Sequence, residues 1–378
     1  MIKFLHCADL HLDSPFSLDD PQKAEQRRAE LRGAFTSMML FAKTEGVDLM
    51  LMAGDLFDCD YAGRDTAALM AREFASNPKC RFIIAPGNHD PYTPESIWAR
   101  FQFPENVYIF DTDKLSYFSF DDIGVDVYGY AFVGPSMQQC PFAGKRPKNP
   151  ERINLLCAHG ELGVPISQYC PITLDDVEKS GFDYIALGHK HNTTGIDRVG
   201  NTYYGYSGCL EGRDFGETGH KGAILVKLEK TEAGELHAEI RGLRFSKRRY
   251  EIARLNVTGC MTDRDIVSRI QKIIIENRYG PDTALRCILE GELPPQLSIS
   301  EKRLARSVQG LFSIEIVDNT VPMAGAETLS EDPTIRGAVY NALLPKMLEG
   351  TPEERETAAR ALRMIFDALA GRPLADDA

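Results

Sequence analysis

The chain has 378 residues, enough for two or three domains. Its 43 % apolar and 26 % charged residues are those of a globular protein with a sizeable core. The net charge of −12 argues against a binder of DNA that works by electrostatics alone, and no apolar run approaches the roughly 18 residues of a membrane span.

Met1-Ile2-Lys3-Phe4-Leu5-His6 runs straight into a strand-like pattern without a signal-peptide core, so the expected compartment is the cytoplasm, with no membrane contact. The nine cysteines are scattered, and none shows C-x-x-C spacing. Neither a disulfide framework nor a zinc ribbon is expected, and most cysteines should be small buried residues. Charge is uneven. Residues 241–320 carry 14 Lys/Arg against 10 Asp/Glu, and the remainder of the chain is acidic.

In chain order, Ile2–Leu5 reads as a buried strand. A helix follows, with Leu31, Ala34, Phe35, Met38 and Ala42 on one stripe. Strands are expected at Val47–Met52, Arg81–Ala85, Asn106–Phe110, Val125–Tyr130, Ile153–Cys157, Tyr184–Leu187, Thr202–Tyr206 and Ala223–Leu228. The Pro-, Lys- and Arg-rich loop Ala143–Arg152 is expected to join two halves of a layered sandwich. Residues 250–320 read as a small α/β unit. It has strands at Tyr250–Val257 and Leu285–Leu289 and near Ser313–Ile316, and a second helix near Ser300–Leu311. Thr262-x-x-Asp265 is a capping box ahead of the stripe Ile266, Ile270, Ile273, Ile274. Residues 321–378 read as helical. Asp332-Pro333 should cap one helix, Pro345 should end or kink it, and Thr351-Pro352-Glu353-Glu354 should open another. Its face is Leu362, Ile365, Phe366 and Leu369, with Gly371 and Pro373 as the stop.

Five of the eight histidines sit at the ends of expected strands. Asp9-Leu10-His11 follows the first strand, Gly54-Asp55 the second and Gly87-Asn88-His89-Asp90 the third. His159-Gly160 and Gly188-His189-Lys190-His191 follow two later strands. Strand carboxyl ends are where α/β sheets bind ligands. In an extended Asp-x-His or His-x-His, alternate side chains point the same way, so each pair can serve one site. Asp, Asn and His suit borderline divalent ions such as Mn, Fe, Ni or Zn. Seven such groups make two sites that clamp the oxygens of an in-line displacement.

These five motifs, in this order, resemble the calcineurin-like metallophosphoesterase family. The resemblance implies a four-layer α-β-β-α sandwich over residues 1–245, a small α/β cap module at 250–320 and a helical C-terminal segment at 321–378. It implies that Asp9, His11 and His191 hold one metal ion, that Asn88, His159 and His189 hold the other, and that Asp55 bridges them. His89 would protonate the leaving oxygen or steady the phosphoryl charge, and a metal-bridging hydroxide would be the nucleophile. The runs Ala8–Phe16 and Tyr206–Glu217 are similar to YhaO/SbcD-type bacterial DNA repair exonucleases. That similarity implies manganese, a DNA substrate, a coiled-coil ATPase partner of the SbcC type and a homodimer. Asp58 stands where eukaryotic and archaeal relatives often carry a histidine that serves the exonuclease step.

Several residues keep two readings. Asp13 and Asp58 are partners of the ligand histidines or turn caps. Arg213 grips a phosphate or makes a surface salt bridge. The basic run ending in Lys247, Arg248 and Arg249 tracks a DNA backbone or guards a strand edge. The C-terminal helices pack on the chain's own body or dock a partner. His6 is expected to be a packed histidine, and His220 and His237 are expected to be solvated. The function expected is a metal-dependent DNA nuclease subunit. The alternatives are a small-substrate (cyclic) nucleotide phosphodiesterase or phosphoprotein phosphatase, and a metal-stabilised scaffold.

Overall fold

A computed structural model describes residues 1–16, 21–58, 62–294, 297, 299–322, 330 and 332–369. The chain divides into two compact units, Met1–Arg249 and Tyr250–Ala378.

The first unit holds two six-stranded sheets. One is built on β1 (Ile2–Cys7), β2 (Leu49–Met52), β3 (Arg81–Ile84) and β4 (Val107–Ile109), paired in that order and all parallel. The other has β5 (Ser116–Phe120), β6 (Val125–Gly129), β7 (Ile153–His159) and β10 (Tyr184–Gly188), followed by β12 (Thr202–Tyr206) and β11 (Gly195–Val199). Its four inner strands are parallel. β13 (Gly222–Lys230) and β14 (Leu236–Arg244) return the chain antiparallel to the far side of β1. A two-stranded ladder joins β8 (Glu161–Leu162) to β9 (Pro171–Ile172).

Alternation along the strands explains the layering. Phe4, Leu49, Leu51, Leu155, Cys157, Tyr184 and Ala186 share one apolar cluster between the sheets. Their neighbours point the other way. Leu5, Met50 and Met52 pack with Leu31, Phe35 and Met38 of α1 (Pro21–Glu45) and with Met70 and Phe74 of α2 (Arg64–Ala75). Leu156, Ala158, Ile185 and Leu187 pack with Val177 and Phe182, in and just after α4 (Leu174–Ser180). The short α3 (Ile97–Arg100) buries Trp98. Strands buried on both faces read as continuous apolar runs, which is why β2, β7 and β10 stand out in the sequence.

The loop Ala143–Arg152 does not join the two sheets. It lies between β6 and β7, which are neighbours in the same sheet. The crossings are the short link from β4 to β5 and the segment from β12 to β13.

In the second unit, β15 (Arg249–Asn256), β16 (Thr283–Leu293) and β17 (Ser313–Pro322) form one sheet, β16 and β17 running parallel. Ile266 and Ile270 of α5 (Asp263–Glu276) and Leu304 of α6 (Glu301–Ser307) cover Leu285, Cys287, Leu289 and Ile316. The Thr262 capping box forms, with Asp265 accepting from the Thr262 N–H at 2.8 Å. Among the described residues, the helices α7 (Ile335–Glu349) and α8 (Pro352–Leu369) follow. The cap of α7 is Thr334, not Asp332; the Asp332 carboxylate instead accepts from the Thr334 N–H. Pro345 does not end the helix. Leu343, Leu344 and Met347 around it pack with Leu362 and Phe366 of α8, which works against a proline penalty of about 3 kcal/mol. At α8 the expected box forms, Thr351 donating its N–H to Glu354 at 2.8 Å. Gly371 and Pro373 lie outside the described residues. No helix among the described residues is long and apolar enough to cross a membrane.

Candidate metal centre

The parallel strands of both sheets deliver the motif residues at their carboxyl ends. The loop backbones there are unusual. Asp9, His11, Asp55 and His189 all take positive φ, at 52°, 45°, 52° and 113°. Side chains seldom adopt this region, and such residues cluster at functional sites. The strain is held by cross-loop hydrogen bonds. Asp9 N–H donates to Gly54 O and His11 N–H to Asp55 O, both at 3.0 Å. The His189 N–H reaches the Asp9 carboxylate at 3.1 and 3.2 Å. Buried Asp90 accepts the N–H groups of Gly87 (2.7 Å), Leu56 (2.8 Å) and Asp55 (3.0 Å), tying two ligand loops together. Gly54 has φ +85°, and a Cβ there would sit 2.5 Å from Nδ1 of His159.

The side chains converge in three overlapping groups, Asp9 with His11 and His191, Asp9 with Asp55 and His159, and His11 with Asp58 and His89. The hydrogen-bond directions test whether cations fit. Nδ1 of His11 donates to Asp58 at 2.8 Å; Nδ1 of His191 lies 2.9 Å from the Arg213 guanidinium but closer, at 2.6 Å, to the Glu217 carboxylate, to which it donates. Both Nε2 lone pairs therefore face each other, 3.1 Å apart. Nδ1 of His159 donates to Ala53 O at 2.9 Å, which turns its Nε2 toward Asn88 Oδ1 (3.0 Å) and the Asp55 carboxylate (3.3 Å). Acceptors packed this closely repel one another unless a cation or proton lies among them. The donor set fits divalent metal ions.

The titration behaviour follows. Burial opposes ionisation of Asp55, but His159 and His11 outweigh it and hold the carboxyl well below the usual range. Burial likewise opposes a charge on His159, yet Asp55 pushes its pKa up to about 9. A proton on His159 therefore stands where a cation would compete. Burial raises Asp9 and lowers His189 to about 4. Glu217 falls to about 2, because His191 and Arg213 outweigh its burial.

Of the seven candidate ligands, Asp9, His11, Asp55, Asn88, His159 and His191 meet directly. His189 adjoins them; its ring centroid lies 5.4 Å from that of His159 and 5.0 Å from that of Tyr169. His89 is half-exposed, its backbone N–H on Asp55 (2.9 Å) and its Nδ1 on Asp58 (2.8 Å). The bond to Asp58 raises its pKa. Asp58 is thus a partner of two motif histidines rather than a cap. Burial works against its charge, but its bonds with those histidines depress its pKa. Asp13 is not such a partner; it binds Arg32 and Thr66. Arg213 reaches Glu217 at 3.1 Å beside His191, which makes it part of the scaffold of that histidine. Arg248 is engaged elsewhere, with Glu30 of α1; Lys247 is exposed, its backbone N–H donating to Glu211, and Arg249 opens β15. His6 is packed, bonded to the Tyr184 hydroxyl and Leu187 O, each at 3.0 Å.

Sequence reasoning assigned no role to Glu217 or Asp90. Both lie inside the motif runs, and an acidic residue a few positions from a ligand was the available signal.

The family model of calcineurin-like phosphoesterases matches residues 2–193. The chain is 29 % identical over 308 residues to the uncharacterized metallophosphoesterase YhaO of Bacillus subtilis, covering 78 % of this chain and 73 % of that one. It is 26 % identical to the DNA double-strand break repair protein Mre11 of Saccharolobus solfataricus, over 61 % of each chain. It is 24 % identical to a subunit of the nuclease SbcCD of Staphylococcus epidermidis, over 61 % of this chain and 67 % of that one. With the motif residues gathered at the strand ends of both sheets, the chain belongs to the calcineurin-like phosphoesterase family.

Proposed function

We propose that this chain is a metal-dependent nuclease that hydrolyses phosphodiester bonds of DNA. The observation that carries the reading is the facing Nε2 atoms of His11 and His191 beside Asp9, with His159, Asn88 and Asp55 adjoining. Asp9, His11 and His191 would hold one divalent ion, and Asn88, His159 and His189 a second, with Asp55 shared. Such ions polarise a phosphoryl group and make water a stronger nucleophile. Manganese is the ion we assign.

The chain's own residues do the remaining work. Asp58 and Glu217 fix the tautomers of His11 and His191, so that each presents Nε2. Asp58 also takes Nδ1 of His89 and favours its protonated form. Its Nε2 is then the donor for the leaving oxygen. DNA as substrate is supported by the names of two relatives, a DNA double-strand break repair protein and a nuclease subunit. We assign a coiled-coil ATPase as partner on the same ground, with the second unit as cap and docking element, and a homodimer as the working form.

A second reading, a phosphodiesterase for small nucleotides, is favoured by one observation. Arg213 and Arg248, which a DNA backbone would need, are bonded to Glu217 and Glu30. Incubating the Mn²⁺-loaded chain with labelled single- and double-stranded DNA separates the two. The nuclease reading expects shortened DNA. Intact DNA alongside hydrolysis of bis-p-nitrophenyl phosphate or a cyclic nucleotide would leave only the second.

A further inference from the structure

Two cysteines outside the metal centre meet across two loops. Cys140 lies in the β6–β7 connection and Cys170 just before β9, and Sγ of Cys170 lies 3.8 Å from the carbonyl of Gln139, the residue next to Cys140. The backbone stitches the loops together. Met137 N–H donates to Gln168 O at 2.7 Å, and Cys170 N–H donates back to Met137 O at 2.6 Å. This is an isolated parallel bridge between Met137 and Tyr169. Sγ of Cys170 also lies 3.1 Å from the Tyr130 hydroxyl. The two loops that carry the cysteines are therefore held together by structure that exists before any bond joins the sulfurs.

The two thiols are not equivalent. Cys140 is half-buried, whereas Cys170 is buried. The neighbouring Cys170 lowers the Cys140 pKa against the effect of burial, and the N–H groups of Phe142 and Ala143 add to the lowering; Cys170 itself is pushed far up by Cys140 and by burial and keeps its proton. Burial has the opposite result at Cys7 and Cys157, whose thiols are pushed far up. An accessible thiol with enhanced thiolate character is the one that oxidants attack, and a neighbouring thiol resolves the product. Cys170 itself has φ +54°, a strained value for a cysteine.

We propose that Cys140 and Cys170 are a peroxide-oxidisable pair that closes reversibly into a disulfide beside the metal centre. The Cys140 thiolate attacks one oxygen of a hydroperoxide such as hydrogen peroxide. The O–O bond breaks, leaving Cys140 as a sulfenic acid and releasing water once the departing hydroxide takes a proton. The Cys170 sulfur then attacks the Cys140 sulfur. The S–O bond breaks, and the hydroxide leaves as water with the Cys170 proton. One peroxide is reduced to two waters and two thiols become one disulfide; a thiol reductant reverses the change.

The position gives the chemistry a consequence. The Cys170 carbonyl accepts from Glu161 N–H at 3.0 Å, and the adjoining Tyr169 ring sits against His189. A closed disulfide pins the segment that carries this ring.

The test is peptide mapping of the folded chain after brief exposure to hydrogen peroxide at neutral pH, with remaining thiols alkylated. A linked Cys140–Cys170 peptide pair is expected, cleaved by dithiothreitol and formed at least about ten-fold faster than Cys7 or Cys157 loses its thiol. Cys170→Ser should leave Cys140 as a sulfenic acid that dimedone captures, and Cys140→Ser should leave the Cys170 thiol intact. Absence of the linked pair in the wild-type chain, with Cys140 advancing to sulfinic acid, overturns the proposal. So does oxidation of Cys7 and Cys157 at the same rate.

Discussion

Glu217 and Asp58 carry no metal in this account, yet they decide which ring nitrogen two ligand histidines offer. Glu217→Gln should weaken Mn²⁺ binding by about 10- to 100-fold while leaving the fold intact, because the amide can present its NH₂ to Nδ1 and reverse the tautomer. Calorimetric titration of Mn²⁺ into wild type and variant reads this directly; equal affinities would remove Glu217 from the centre. His89→Ala should keep its metal and lose turnover by about 10²- to 10⁴-fold, the worth of one positioned acid. Metal analysis beside bis-p-nitrophenyl phosphate kinetics checks both halves. His6 supplies a pH prediction. Burial lowers its pKa from 6.5 to about 4, the Leu187 bond opposing. The unfolded chain therefore binds more protons between these values, and the contribution of neutral His6 is complete above pH 6.5. It is lost as pH falls toward 4, by about 3 kcal/mol. Urea midpoints should drop more steeply with acid in wild type than in His6→Gln, and parallel curves would contradict the assignment.

At the scale of elements, the candidate ligands were legible because each follows a short apolar strand. The metal pairing was less legible. Sequence spacing says which residues share a strand end; the placement of Asp58, Glu217 and Asp90 depends on loops brought together from distant parts of the chain. Edge strands also escaped. β11 and β14 are largely exposed and mix Asp, Glu and Arg with isolated apolar residues, so neither period is clear. α2 buries a stripe of Ala67, Met70 and Phe74, only three buried apolar positions over twelve residues. Pro345 reads as a helix breaker, and packing with α8 overrides it. The local signal that held best was the capping box of Thr262. Thr262→Ala should cost about 1 kcal/mol, seen as a lower melting temperature of the second unit with phosphodiesterase activity unchanged. No shift in melting would mean that α5 is held by its Ile266 and Ile270 contacts alone.

For the whole molecule, the two units have separate apolar clusters, and every candidate ligand lies in Met1–Arg249. Residues 1–249 expressed alone should fold and hydrolyse bis-p-nitrophenyl phosphate within a few-fold of the full chain, while DNA cleavage and ATPase binding fall away. Retained ATPase binding by this fragment would refute the docking role of the second unit. The central claim is that the rim residues form a two-ion centre through Asp55. Counting Mn²⁺ per chain by calorimetry in wild type and Asp55→Asn tests it most directly. Two ions are expected in the wild type and fewer than two in the variant. Full loading of Asp55→Asn would contradict that claim.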